Sequence, residues 1–331
     1  MKSILCFFVP FLITSCTVAQ EEFRLTIVHT NDLHGMLLPF DYQGQADTVA
    51  AESNAGGLAR RATEIKRLRS NANNPIVVVD AGDTFTRGPW HEQFYGVPEI
   101  ETMNRIGYDF MAVGNNEFKA KGGTKSQAIM LSLVQRSKFP WIAANLSVAA
   151  SGAPVQGIVP YVVRSYGKMR VCYLGLTPAR SAEYPQTVGW SISDPIETAK
   201  KVIPEARKHC AVLIAITHID ADGTVDRKLA AEVAGIDAIV GGDSHAFLAT
   251  PVVVKGPDQR DVPIVQAGEK GVRVGKLDLV FEKVDDKWKL KAFEGKLIPI
   301  DKDVPEDSAI KDYLDSVLNQ KADAPVEAVG F

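Results

Sequence analysis

The stretch Leu25-Thr26-Ile27-Val28-His29-Thr30-Asn31-Asp32-Leu33-His34-Gly35 is an apolar run that gives way to chemically active side chains. Leu25 to Val28 reads as a buried strand, which places Asp32 and His34 where strand opens into loop. Carboxyl ends of strands are where α/β proteins gather their chemistry. The pattern recurs along the chain. Pro75 to Val79 leads into Asp80-Ala81-Gly82-Asp83, and Phe110 to Val113 leads into Gly114-Asn115-Asn116-Glu117. Later, Val212 to Thr217 runs into His218, and Ala238-Ile239-Val240 runs into Gly241-Gly242-Asp243-Ser244-His245. Five strand ends thus offer Asp32, His34, Asp83, Asn115, His218, Asp243 and His245.

Carboxylates, an amide oxygen and imidazoles are ligands for hard to borderline divalent cations, and seven of them suit two adjacent ions that share a carboxylate. Two such ions, about 3.5–4 Å apart, can clamp the attacking and leaving oxygens of a phosphoryl displacement and acidify a bridging water to a hydroxide nucleophile. The order Asn-Asp-x-His-Gly, Gly-Asp, Gly-Asn-x-Glu-Phe, Thr-His and Gly-Gly-x-Ser-His resembles the N-terminal domain of the 5′-nucleotidase and UDP-sugar hydrolase family of calcineurin-like metallophosphoesterases. It runs from about Phe23 to Lys321, with Gly56-Gly57-Leu58-Ala59-Arg60 also fitting. Each motif alone is weak, but five in order are specific. The resemblance implies one metal on Asp32, His34, Asp83 and His245. The other would sit on Asp83, Asn115, His218 and the residue at position 243, with Asp83 as the bridge.

The departures from that family fall at the chemistry. Asn116 stands where the family has its catalytic His, and Lys119 where it has the Asp that orients this His. An amide donates a hydrogen bond but delivers no proton. Asp243 replaces a usual His ligand, which adds negative charge and favours Mn²⁺ or Mg²⁺ over Zn²⁺. The expected cofactors are two divalent ions, with Mn, Mg, Zn, Fe and Co all open.

A chain of 331 residues, 46% hydrophobic and 23% charged, can bury a substantial core. Its net charge of −3 gives no basic footprint, so no nucleic-acid partner is expected and an anionic substrate would depend on the metals. Residues 1–15 read as a signal peptide: Lys2 precedes an apolar stretch, Ile4 to Ile13, and Leu12-Ile13-Thr14-Ser15-Cys16 resembles a bacterial lipobox. Cleavage before Cys16 would leave a periplasmic or cell-surface lipoprotein of a bacterium, held to the membrane by lipid on Cys16. The other reading is an ordinary secretory signal ending near Ala19. Cys172 and Cys210 lie in or beside apolar runs and read as buried thiols rather than a disulfide or a nucleophile.

Apolar runs alternate with helical patterns, which implies α/β architecture. Leu58, Ala62, Ile65 and Leu68 line one helix face, and Leu229 and Val233 another. Ile158 to Val163, Arg170 to Leu176, Pro251 to Val254, Val262 to Val265 and Val272 to Phe281 read as strands. Two stacked sheets flanked by helices follow, matching the four-layer α/β/β/α sandwich of the resembled family. Residues 23–304 would form the metallophosphoesterase domain. Residues 305–331 would form a linker-like helix, carried by Ile310, Leu314, Val317 and Leu318, and the strand-like start of an absent C-terminal domain at residues 325–331. His29 reads as a packed strand histidine and His91 as a solvated loop histidine, although the latter lies near enough to Asp83 to supply an acid. Arg60 and Arg87 could meet a phosphate, while His209 needs no function at its helix end.

The function expected from this reading is metal-dependent hydrolysis of phosphomonoesters, with nucleotides as the natural substrate class. Activity would be reduced by Asn116. The alternative is a catalytically silent metal-binding remnant that acts as a binding protein. Oligomeric state stays open.

Overall fold

The computed structural model describes residues 21–45, 48–123, 125–220 and 222–319. Cys16, the leader and the run at 325–331 lie outside the described residues. One sheet has seven strands in the spatial order Lys287–Pro299, Arg273–Val284, Glu22–Thr30, Ile76–Asp80, Phe110–Ala112, Trp141–Ile142 and Ile158–Val159. The other has six, in the order Val252–Lys255, Asp261–Val265, Ala238–Val240, Val212–Thr217, Met169–Leu176 and Tyr161–Tyr166. In each sheet the central strands are parallel, so their carboxyl ends share one rim.

Period-2 alternation assigns the faces. Ile27, Val77, Val79, Phe110 and Ala112 of the first sheet pack against Val171, Tyr173, Ile214, Ile216 and Val240 of the second. The intervening residues Val28, Val78, Met111 and Trp141 point the other way, onto helices Leu58–Ser70, Val97–Ile106 and Lys125–Arg136. Behind the second sheet, Leu174, Leu213, Ala215 and Ile239 meet helices Pro195–Ala206 and Val225–Glu232. Helix, sheet, sheet, helix is the four-layer α/β/β/α arrangement. Helix Pro195–Ala206 starts where Asp194 accepts the Glu197 N–H at 2.9 Å, with proline in the first turn.

Helix Ser308–Leu318 begins at the Asp307 cap and buries Ile310 and Leu314 on the first helical layer. Among the described residues no helix is long and apolar enough to cross a membrane.

One reading needs correction, and one strand went unread. Cys172 and Cys210 are joined in a disulfide, with Cα atoms 5.7 Å apart. Strand residue Cys172 faces the helix side of its sheet, and Cys210 follows the helix that covers that face, a proximity hidden by 38 residues of sequence. Strand Lys287–Pro299, the longest in the molecule among the described residues, was not anticipated. Its apolar alternation slips phase at Lys291, where the register against its neighbour shifts: Trp288 and Leu290 are followed by Phe293 rather than an even-numbered position.

Candidate metal centre

The loops leaving both sheets carry their polar residues in an unusual backbone state. Asp32, His34, Asp83, Asp243 and His245 all have positive φ, between 50° and 80°. Outside glycine such conformations cost about 1–3 kcal/mol each and persist where the surroundings enforce them. Here Asp32 N–H donates to Gly82 O at 2.8 Å, and His34 N–H to Asp83 O at 3.0 Å, which lock two loops of the first sheet together. The alternation of left-handed and ordinary residues sends positions 32 and 34, and likewise 243 and 245, inward as pairs. Gly114 is required by proximity: a Cβ there would collide with Asp83 Oδ1.

Two groups of donor atoms result, Asp32 with His34 and His245, and Asp32 with Asp83 and His218, each gathered within 4.8 Å. His34 Nε2 lies 3.0 Å from His245 Nε2, and His245 Nε2 lies 3.3 Å from Asp32 Oδ1. His218 Nε2 sits 3.2 Å from Asp83 Oδ1 and 3.9 Å from Asp32 Oδ1. Asp32 Oδ1 and His218 Nε2 are buried without a hydrogen-bond partner. Buried, unpartnered carboxylate and imidazole atoms turned toward one another fit a divalent cation. The carboxylate common to both groups is Asp32, whereas Asp83 faces His218 and Asn116.

The ligand side chains are held from behind. His218 Nδ1 donates to Ala81 O at 2.7 Å, leaving Nε2 to face the site, and His245 Nδ1 lies 3.1 Å from Glu269 Oε2. Asn31 Nδ2 and Asp243 N–H both donate to Asp32 Oδ2, at 2.7 and 2.9 Å. Glu117 accepts the N–H groups of Asp83, Thr84 and Gly114, tying the second and third loops together.

The electrostatics are those of crowded carboxylates. Burial lowers the His245 pKa, but Asp32 and Glu269 more than offset it and raise it to about 9. Burial likewise opposes ionised Asp83, yet His218 and His34 hold its carboxyl well below the usual range. His218 rises correspondingly: burial works against its charged form and is outweighed by Asp83 and Asp32.

All seven predicted ligand residues flank this rim. Asn115 and Asp243, however, are engaged elsewhere. Arg180, on the 3-10 turn Ala179–Glu183, donates to Asn115 Oδ1 at 2.6 Å, to Asp243 Oδ2 at 2.7 Å and also to Asp243 Oδ1. Sequence reading missed Arg180 because nothing local marks it. It missed the roles of Glu117 and Glu269 as well, although Glu117 lies inside a quoted motif. Asn116 donates its backbone N–H to Asp83 Oδ1 at 2.8 Å and its side-chain amide to Asp83 Oδ2. Lys119 places Nζ over the Tyr184 ring, 4.2 Å from its centre.

His91 is not the solvated histidine expected. It is buried on the short helix His91–Phe94, stacked on Phe85, with Nε2 2.8 Å from Ala120 O, because the chain turns back at Trp90 rather than running on as loop. His29 is a packed strand residue against Gly275, and burial pushes it down to about 3. Arg60 bonds Asn54 O, away from the rim. Arg87 is exposed and, with Thr86, Asn116 and Lys119, lines a groove of about 540 Å³.

Residues 25–247 match the calcineurin-like phosphoesterase family. The chain is 31% identical to a snake venom 5′-nucleotidase of Gloydius brevicauda over 95% of its own length and 54% of that relative. It is 29% identical to the Bos taurus 5′-nucleotidase, covering 88% of this chain and 52% of the bovine one. The crystal structure of a 5′-nucleotidase precursor from Thermus thermophilus superposes with a TM-score of 0.77 at 30% identity, over 89% of this chain and 59% of that one. The chain therefore spans about half the length of the curated relatives it matches.

Proposed function

The chain belongs to the calcineurin-like phosphoesterase family, and from that premise we propose that it is a metal-dependent phosphomonoesterase acting on nucleotides. The observation that carries the reading is the convergence of three inward-facing imidazoles, His34, His218 and His245, on the buried carboxylates Asp32 and Asp83, with Asp32 Oδ1 and His218 Nε2 left without partners. Asp32, His34, Asp83 and His245 would hold a divalent ion. Asp83, Asn115, His218 and Asp243 would form a neighbouring cation position. A divalent cation supplies Lewis-acid charge to a phosphoryl oxygen and acidifies water.

The remaining work falls to the chain. Asn116 restrains the Asp83 carboxylate through two N–H donors, and Ala81 and Glu269 fix the tautomers of His218 and His245. Arg87 and Lys119 bring positive charge to the groove beside Asn116, where a phosphate would enter. Protonation of the leaving oxygen is the weak step. Asn116 has no proton to give, Lys119 is turned onto Tyr184, and His91 is tied to Ala120 O. Loss of a general acid costs about 10²–10⁴-fold, which leaves an enzyme rather than none.

Export with lipid on Cys16 belongs to the same proposal, supported by the Leu12–Cys16 sequence. The test combines metal analysis of purified protein with a phosphoester panel in Mn²⁺. Hydrolysis of aryl phosphates and nucleoside monophosphates is expected. Bound metal with no turnover of either would favour the binding-protein reading, and no bound metal would end both.

A further inference from the structure

We propose that the guanidinium of Arg180 is itself the cation of the second position, so that the resting protein holds one divalent ion where its relatives' motifs lead one to expect two. The inference rests on the metal-dependent reading above and deepens it by fixing how many ions the centre takes.

Of the four residues around the second position, Asp83 and His218 face each other, with His218 Nε2 3.2 Å from Asp83 Oδ1. The other two are already engaged. The Asn115 amide oxygen, the atom a cation would use, accepts from Arg180 Nη2 at 2.6 Å. Asp243 Oδ2 accepts from Nη1 at 2.7 Å, and Asp243 Oδ1 from Nη2. This is the two-pronged carboxylate grip to which the planar guanidinium is matched and an ammonium is not. Its second prong simultaneously takes the neighbouring amide oxygen, so one group satisfies the oxygens of two ligands contributed by different sheets.

Charge gives the same answer. The Asp243 side chain is only 5% exposed, and among the described residues the cationic groups at its carboxylate are Arg180, in direct contact, and His218, whose Nε2 is 3.7 Å away. Asp32, Asp83 and Asp243 put three carboxylates on the rim. An arginine at the second position supplies one positive charge without removing water from a metal ion. The first position is not bridged in this way: among the described residues Asp32 Oδ1 has no hydrogen-bond partner, and the facing nitrogens of His34 and His245 lie against each other and Asp32, with Arg87 acting on His34 only through its charge. One half of the centre thus keeps its ligand atoms free, whereas in the other the guanidinium takes the oxygens of Asn115 and Asp243 and leaves only Asp83 and His218. An ion that took Asn115 and Asp243 as ligands would have to break three charge-assisted hydrogen bonds and expel the guanidinium.

The experiment uses the full chain, stripped with chelator, reloaded with Mn²⁺ and freed of excess metal. Elemental analysis is expected to find about one Mn²⁺ per wild-type chain and about two in Arg180→Ala, because the guanidinium no longer competes for Asn115 and Asp243. Electron paramagnetic resonance reads the same difference independently of activity. Wild type should give the six-line spectrum of an isolated Mn²⁺, and the variant the broadened spectrum of an exchange-coupled pair. Asp243→His serves as a second variant, since it removes the partner of Arg180 while keeping a metal-binding side chain, and it is likewise expected to take up the second ion. Two ions and a coupled spectrum in wild type would overturn the inference while leaving the metal-dependent reading standing. So would one ion in wild type and in both variants. No ion in any of them would overturn the proposed function itself.

Discussion

Asn116 holds the Asp83 carboxylate but cannot protonate anything, so the handicap it creates should depend on the leaving group. Aryl phosphates, whose leaving groups need no proton, are expected to be cleaved far better than nucleoside monophosphates. Asn116→His combined with Lys119→Asp should raise turnover of the latter on the order of tenfold or more, and Asn116→His alone should do less. Steady-state kinetics on both substrate classes, in protein of verified metal content, checks this, and no gain from the double variant would count against it. A second residue, Glu99, is buried opposite Gly35 with Oε2 unpartnered, and burial raises its carboxyl to about 7. The folded chain then keeps a proton that the unfolded chain releases near its ordinary value of 4.5, so stability falls as pH rises from there through 7. The loss is at most roughly 3 kcal/mol. Urea midpoints at pH 5 and pH 8 should differ less in Glu99→Gln than in wild type. Asp32, His34, Asp243 and His245 were legible in the sequence because their two-residue spacing directly follows apolar runs. Arg180 was not, since its partners lie 63 and 65 residues away and only the fold brings them together.

Among the elements, helix Ser308–Leu318 reports how local pattern becomes tertiary contact. Ile310 and Leu314 enter the helical layer, Asp307 N–H donates to Ala59 O, and Arg105 stacks on the Tyr313 ring at 3.8 Å. This linker-like helix, for which docking on the core was the other expectation, is docked on helices Leu58–Ser70 and Val97–Ile106. Leu314→Ala should cost about 2–5 kcal/mol, the range for emptying a buried leucine site, measurable by chemical denaturation. A value near zero would mean that the helix does not stay docked in solution. Its amphipathic spacing and Asp cap were readable in advance. Strand Lys287–Pro299 was not, because a single unpaired residue at Lys291 reverses which positions are apolar, and period-2 reading depends on an unbroken phase.

At the scale of the molecule, the centre joins two sheets that meet mainly through apolar side chains: Asp32, His34, Asp83 and Asn115 come from one, His218, Asp243 and His245 from the other. A bound ion should therefore act as a clasp on the whole fold. At a hundredfold excess over its Kd an ion adds about 2.7 kcal/mol, so chelation should lower Tm by on the order of 5 °C and Mn²⁺ should restore it. Scanning calorimetry with and without chelator decides it, and an unchanged Tm would remove the clasp. The two-sheet core was readable from buried runs and their polar ends, whereas pairing across the second layer was not, as the Cys172–Cys210 bond shows. That bond also has a geography. Reducing cytosol keeps thiols open, whereas secretory and periplasmic surroundings oxidise them. A disulfide buried behind the second sheet, at residues 0% and 7% exposed, closes as the chain folds and is hard to reach afterwards. It therefore ties the fold to an oxidising compartment, the kind of surroundings that the proposed export would supply.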